Sequence, residues 1–423
     1  MDTPVDRLFA ARAPLSGPWL KDRTGTHGNA LLNAIAWPLS VLLVLYTVFV
    51  LAVNGAVTDD FTTVYSAVRR FLDGAPVYDE VYHYVDPHYL YNPGATLLLT
   101  PMGLSEHFAL SRMVFIIVNA AAIVAALVAL VRAFGHRLSS ALLPVAIAVA
   151  FSTEAVRNTL IFTNINGILL LVFVGFLLTW LAGYRWVAGL LLGVAIVIKP
   201  MFLPLLFLPL VRLDVRTIGA AVAVPVVTNL LAWPLMADAW AYVDKVMPYL
   251  SITRDYANAS LPGLAVYFDL PTPLYVLAWG AMAVLCGVGT LALLPWRRSD
   301  ELLWATTTSA LLLTGVFLLS SLGQQYYSLM LFPFMFTVLL RVSALHSMPA
   351  WIALVLVLAP LSFTTNYAPV AGRWIGTFIA TAGWALLITV ICVTALAWLK
   401  HSGIIGRRHM FTRVGPEERG NHD

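Results

Sequence analysis

A chain of 423 residues that is 60% hydrophobic, only 11% charged and of mean hydropathy +0.84 is not a soluble globule, because soluble domains carry about 25% charged residues. The formal net charge of +4 is too small and too dispersed for a nucleic-acid surface, and the lysines and arginines are better read as markers of membrane topology. Cys286 and Cys392 each lie inside an apolar run, which argues against a disulfide framework or a thiolate metal site.

Residues 1–36 are polar and carry Arg7, Arg12, Lys21 and Arg23. The apolar run that begins near Trp37 therefore lies too far in for a cleaved signal peptide and reads as an anchor with a cytoplasmic N-terminus. Further apolar runs follow the first one at 37–54, over 112–134, 139–153, 160–183, 186–198, 201–211, 217–235, 271–296, 302–320, 326–341, 349–365 and 374–398. They predict about twelve membrane spans, since about 20 apolar residues cross the hydrocarbon layer. If every span crosses, Arg132, Arg137, Arg185, Arg212, Arg216, Arg297, Arg298, Arg341 and Lys400 share one side, which the positive-inside rule makes the cytoplasm. The expected organisation is one membrane domain over 37–398 between cytoplasmic tails at 1–36 and 399–423, the second basic enough to touch anionic lipid. Segments 55–111, 154–159, 198–201, 236–270, 321–325 and 366–373 then lie outside. In the first of these, Phe61, Val64, Val68, Phe71 and Leu72 recur at helical spacing. This predicts an amphipathic helix on the outer membrane surface, with Arg69 and Arg70 toward lipid head groups. No repeat relates the two halves, which weighs against a secondary transporter.

The candidate chemistry collects on the outer side. Asp59 and Asp60 stand about five residues past the first span; a partly desolvated carboxylate there is suited to take a proton from a substrate hydroxyl, although a solvated helix cap is the simpler role. Lys199-Pro200 interrupts an apolar stretch. A lysine at membrane depth costs about 2.5–3.5 kcal/mol, so it wants an anionic phosphate as partner or a place to snorkel. Asn164 and Asn166 start the 160–183 run and would orient a sugar or a neighbouring helix, and Glu154 with Arg157 forms an ion pair or joins the cavity. Thr253-Arg254-Asp255-Tyr256 and Gln324-Gln325-Tyr326-Tyr327 offer the amides, aromatics and isolated charges that bind carbohydrate, as ordinary loops also do. His83, Asp86 and His88 do not have the spacing of a metal site, and no glycine-rich phosphate loop indicates a nucleotide. An outward site implies a donor carried on lipid. A sugar on a lipid phosphate needs a base and one or two cations for direct displacement, with neither metal nor cofactor.

Asp60-Phe61, Tyr65, Gly74, Tyr78, Tyr91-Asn92-Pro93 and Leu97-Leu98-Leu99-Thr100-Pro101 together resemble the first-loop pattern of the actinobacterial GT-C polyprenyl-phosphate-dependent glycosyltransferases. Tyr84-Val85-Asp86-Pro87-His88-Tyr89-Leu90-Tyr91, Phe162-Thr163-Asn164-Ile165-Asn166-Gly167 and the run from Gln325 to Phe334 are similar to the arabinan-branching α-(1→3)-arabinofuranosyltransferases among them. The resemblance implies an all-α, polytopic integral membrane GT-C fold with a decaprenylphosphoryl-β-D-arabinofuranose donor. It also implies an arabinan acceptor, and an α-(1→3) branch on the α-(1→5) chain of arabinogalactan and lipoarabinomannan, made with inversion. Carried onto this chain, the catalytic acid falls on Asp60 or Asp59, and the spacing to Tyr65 favours Asp60. Lys199 and Arg254 are then expected at the donor phosphate, and Tyr65, His88, Tyr91, Asn164, Asn166, Asp255, Gln325 and Tyr326 around the sugars. Asn92 and Ala95 depart from the Pro and Gly that close relatives tend to have. A polyprenyl-phosphate-mannose-dependent mannosyltransferase of the same fold and a lipid-linked glycan transporter stay open as alternatives.

Overall fold

The computed structural model describes residues 26–55, 60–83, 88–360 and 369–402, and these contain helices and turns but no β-strand. In chain order the helices are α1 (Thr26–Tyr46), α2 (Asp60–Leu72), α3 (Pro93–Leu99), α4 (Phe108–Ala133), α5 (Leu142–Ser152), α6 (Glu154–Ile161), α7 (Asn166–Leu181) and α8 (Arg185–Ile198). There follow α9 (Phe207–Val211), α10 (Val215–Ala232), α11 (Met247–Ser251), α12 (Leu261–Tyr267), α13 (Thr272–Leu293), α14 (Glu301–Leu319), α15 (Phe332–Met335), α16 (Met348–Leu358) and α17 (Pro369–His401). Among the described residues six helical stretches are long and apolar enough to cross a membrane: Asn29–Ala52, Phe108–Ala133, Val215–Leu235, Thr272–Trp296, Glu301–Leu319 and Ile375–His401. Six shorter apolar ones accompany them. At 1.5 Å per residue, even a span of 20 residues matches a hydrocarbon layer of about 30 Å.

Two interruptions shape the site. Pro200 disfavours helical geometry at the residue before it, and Lys199 is extended (φ −134°, ψ 106°) between the end of α8 and the 3₁₀ turn Pro200–Leu206, as the sequence predicts. The run read as one span over 160–183 is instead broken. α6 ends at Ile161, Thr163 takes a positive φ of 50° and α7 starts only at Asn166. The Asn164 side-chain oxygen accepts from the Asn166 amide at 3.0 Å, a local turn that hydropathy does not register.

Small residues set the closest helix contact. A Cβ at Gly193 would stand 2.6 Å from the Val224 Cβ, and one at Gly189 would stand 2.6 Å from the Ala220 Cβ. The Gly-x-x-x-Gly face of α8 thus brings its backbone against α10.

Helix α2 forms where its periodicity predicts, but its apolar face meets protein. Phe61 stacks on Tyr65 with ring centroids 5.7 Å apart and packs against Phe108 and Phe115. Arg69 and Arg70, expected at lipid head groups, are instead half-buried and partnered within the chain. Arg69 reaches Asp73 at 3.3 Å, Glu106 at 3.6 Å and the Gly103 carbonyl, while Arg70 reaches Glu80 at 2.9 Å and the Val77 carbonyl. Glu154 accepts from Asn158 Nδ2 at 2.9 Å, one helical turn on within α6.

The segment 236–270, read as a loop, contains a π turn (Tyr242–Val246), α11 and α12. It is tied to the first loop by Asp238, whose two carboxylate oxygens accept from the Val77 and Tyr78 amides, each at 2.8 Å. At the opposite end, the Arg212 guanidinium lies 4.5 Å from the Trp180 ring centroid, pairs with Glu301 at 2.6 Å and donates to the Arg297 carbonyl. Arg185, Arg212 and Arg297, which charge places on one side, do meet at one end of the bundle, where Asp214 takes Arg185 at 3.7 Å and the Trp180 indole at 3.1 Å.

Candidate active site

Asp60 opens α2, where backbone amides and the helix dipole favour a carboxylate. Its own amide donates to the Phe162 carbonyl at 3.0 Å, fixing the start of α2 on the turn after α6. The Tyr326 hydroxyl donates to Asp60 Oδ2 at 3.4 Å from the 3₁₀ segment Gln325–Leu331. Asp60 lines a small pocket with Tyr91, Thr163, Asn164 and the apolar side chains of Phe61 and Phe115. Burial, and then the Asp60 carboxylate, push the Tyr91 phenol well above its ordinary pKa, so it remains a hydroxyl donor at neutral pH.

Lys199 supplies the positive charge. Its ammonium donates to Asn166 Oδ1 at 2.8 Å and lies 4.8 Å from the Tyr327 ring centroid and 5.7 Å from that of Tyr326. The Asp60 carboxylate acts electrostatically on Lys199, Tyr326 and Tyr327 alike. Asn164 and Asn166 are 2% and 0% exposed, and the Nδ2 of each has no hydrogen-bond partner among the described residues. Buried amide donors without partners are costly, and they cluster here beside a cation, the combination that holds an anionic or hydroxylated ligand. Asn119 positions them: its Oδ1 accepts from the Ile168 amide at 3.2 Å, and Gly167 leaves room for it, since a Cβ there would stand 2.7 Å from the Asn119 oxygens.

The structure therefore brings together Asp60, Lys199, Asn164, Asn166, Tyr91 and Tyr326 of the residues singled out by sequence. Asp59 lies outside the described residues, as does Asp86. Tyr65 is turned away: its hydroxyl donates to the Ser105 carbonyl at 2.8 Å and its ring packs edge-on to Phe108. Arg254 stands 5.6 Å from the Tyr249 ring centroid and acts electrostatically on Tyr327, so it borders the site. Asp255 is exposed, and Gln325 is half-buried at the start of its turn. His88 pairs with Glu80 at 3.3 Å, away from Lys199. Among the described residues no group of His, Cys, Asp and Glu is placed to hold a metal.

Sequence reasoning passed over Thr163 and offered Tyr327 only within the carbohydrate-binding run Gln324–Tyr327. Tyr327 provides an aromatic face beside Lys199. Thr163 lines the cavity through a backbone conformation that composition cannot reveal.

A membrane-embedded helical protein with a carboxylate, an ammonium and orphan amides linked in one cluster has the equipment for group transfer. Glycosyltransferase family 87 matches residues 89–321. The chain is 51% identical over 396 residues to an α-(1→3)-arabinofuranosyltransferase of Corynebacterium glutamicum, covering 94% of this chain and 93% of the relative. An α-(1→3)-arabinofuranosyltransferase of Mycobacterium tuberculosis is 46% identical over 339 residues, 78% of each chain. One of Mycolicibacterium smegmatis is 41% identical over 386 residues, 90% of this chain and 89% of the relative. The chain belongs to glycosyltransferase family 87 and is a glycosyltransferase.

Proposed function

We propose that this enzyme is an inverting α-(1→3)-arabinofuranosyltransferase that takes arabinofuranose from decaprenylphosphoryl-β-D-arabinofuranose and branches the α-(1→5) arabinan of arabinogalactan and lipoarabinomannan. The observation that carries the activity is the 51% identity to an α-(1→3)-arabinofuranosyltransferase along nearly the full length of both chains. The site supports the chemistry. The acceptor O3 attacks the anomeric carbon, its proton passes to the Asp60 carboxylate, and the bond from that carbon to the phosphate oxygen breaks on the opposite face, turning β into α. Lys199 neutralises the departing decaprenyl phosphate, and the Asn164 and Asn166 amides donate to phosphate or sugar oxygens. Tyr91 and Tyr326 orient Asp60 and the sugar, and Arg254 adds positive charge at the border.

In this reading the fold is that of a GT-C glycosyltransferase with about twelve crossings, a catalytic domain over 37–398 and tails at 1–36 and 399–423 in the cytoplasm. The Asp60 cavity faces the other side of the membrane, where lipid carries the activated sugar, and no cofactor takes part. Transfer in nanodiscs from decaprenylphosphoryl-arabinose and from polyprenyl-phosphate mannose to a synthetic linear α-(1→5) arabinan, followed by linkage analysis, tests it. The expected product is 3,5-branched arabinose. Mannose transfer would replace the reading with a mannosyltransferase, and movement of intact donor across vesicles with no new bond would replace it with a transporter.

A further inference from the structure

Away from the Lys199 pocket, the imidazole of His88 is built like a binding group. Its Nδ1 lies 3.3 Å from Glu80 Oε2, and the other oxygen of Glu80 takes Arg70 at 2.9 Å. A carboxylate only accepts, so Nδ1 carries the proton, and in the neutral tautomer Nε2 presents a lone pair. That Nε2 is buried and has no hydrogen-bond partner among the described residues, and the side chain as a whole is 10% exposed. The ring is walled by Tyr82 at 5.1 Å and, edge-on, by Tyr249 at 5.2 Å. Tyr249 also meets Arg254, which acts on Tyr327 beside Lys199. Tyr91, in the Asp60 cavity, follows His88 by three residues, a reach of at most about 11 Å.

We infer that His88, set by Glu80 and flanked by Tyr82 and Tyr249, is a binding subsite for the acceptor glycan, its Nε2 accepting a hydrogen bond from a sugar hydroxyl next to the residue that reacts. An oriented acceptor nitrogen between aromatic walls suits a neutral, hydroxyl-rich chain. A phosphate would require the imidazolium and belongs with Lys199 and the amides. The subsite rests on the transferase reading for the identity of the glycan, and its test separates the two.

The experiment is direct binding of a linear α-(1→5)-arabino-octasaccharide to the full chain in nanodiscs without donor, with decaprenyl phosphate titrated separately. His88→Ala is expected to weaken the octasaccharide about tenfold and leave decaprenyl phosphate unchanged, which also reports that the variant is folded; His88→Gln, which keeps an acceptor atom, recovers part of the loss. Equal octasaccharide binding by wild type and His88→Ala overturns the subsite and leaves the transferase reading standing. If the wild type binds a mannan oligosaccharide in place of the arabinan and His88→Ala weakens it, the subsite stands and the arabinan reading falls. Binding of neither glycan by the wild type overturns both. Histidine nitrogen NMR of the wild type is independent of variant folding. The Nε2 signal that disappears in His88→Gln should move with octasaccharide and stay with decaprenyl phosphate, and the reverse pattern refutes the assignment.

Discussion

In the proposed reaction Asp60 and Lys199 divide the work of displacement, and their variants should fail differently. Asp60→Asn keeps the Tyr326 contact and removes the base, so kcat is expected to fall about 10²-fold or more with little change in decaprenyl phosphate binding; turnover near wild type would dismiss Asp60 as the base. Lys199→Ala loses the charge on the leaving group, and both kcat and donor affinity should drop, by about tenfold or more each. An unchanged affinity for decaprenyl phosphate would remove Lys199 from the site. Both residues were legible in sequence because charge is rare in this chain and each stands at the edge of an apolar run. Tyr65 was misplaced for a geometric reason. A residue five along a helix lies about 140° round the axis from the first, so the spacing that marks Asp60 turns Tyr65 onto the face packed against Phe108. The role of Tyr327 was misread: sequence offers it as an aromatic for sugar, whereas folding sets its ring against Lys199 from another part of the chain.

Helices α8 and α10 form the seam on which Lys199 is mounted. Gly193→Leu should force them apart and lower the melting temperature in detergent, while Leu190→Ala, at a position 51% exposed, should leave it nearly unchanged. The break beyond the seam is a proline effect, and Pro200→Ala is expected to let α8 run on, rotate Lys199 away from Asn166 and reduce transfer about tenfold with the protein still folded. Activity equal to wild type would show that the extended Lys199 does not depend on Pro200. The break could be read in advance because proline announces it. The turn at Thr163 was passed over because long apolar stretches flank the polar Thr163, Asn164 and Asn166 on both sides, and it is the Asn164 side chain, accepting from the Asn166 amide, that secures the turn before α7. The periodicity of α2 revealed a buried face without revealing its partner. The aromatic side chains at the start of α4 fill that role, so a helix expected to lie on lipid is part of the core.

At the scale of the molecule, hydropathy marked most of the helical runs, and Arg185, Arg212 and Arg297 of the arginines grouped by charge meet at one end, because both signals are summed over many residues. Thiol labelling of intact cells should find Glu106→Cys, 82% exposed in wild type, open to an impermeant maleimide, and Arg341→Cys open only after permeabilisation. The reverse pattern would turn the cavity toward the cytoplasm. The grip of Asp238 on Val77 and Tyr78 bears on this in another way. Two loops that share a carboxylate emerge on the same side, so the chain must cross an even number of times between them. Six apolar helices intervene there. The same parity governs Asp60 with Phe162 and Asn166 with Lys199, each pair separated by two apolar helices. Between these tied positions helices can therefore be gained or lost only in hairpin pairs, and a single failed insertion between Asp60 and Lys199 would strand the ammonium on the opposite side of the membrane from the carboxylate.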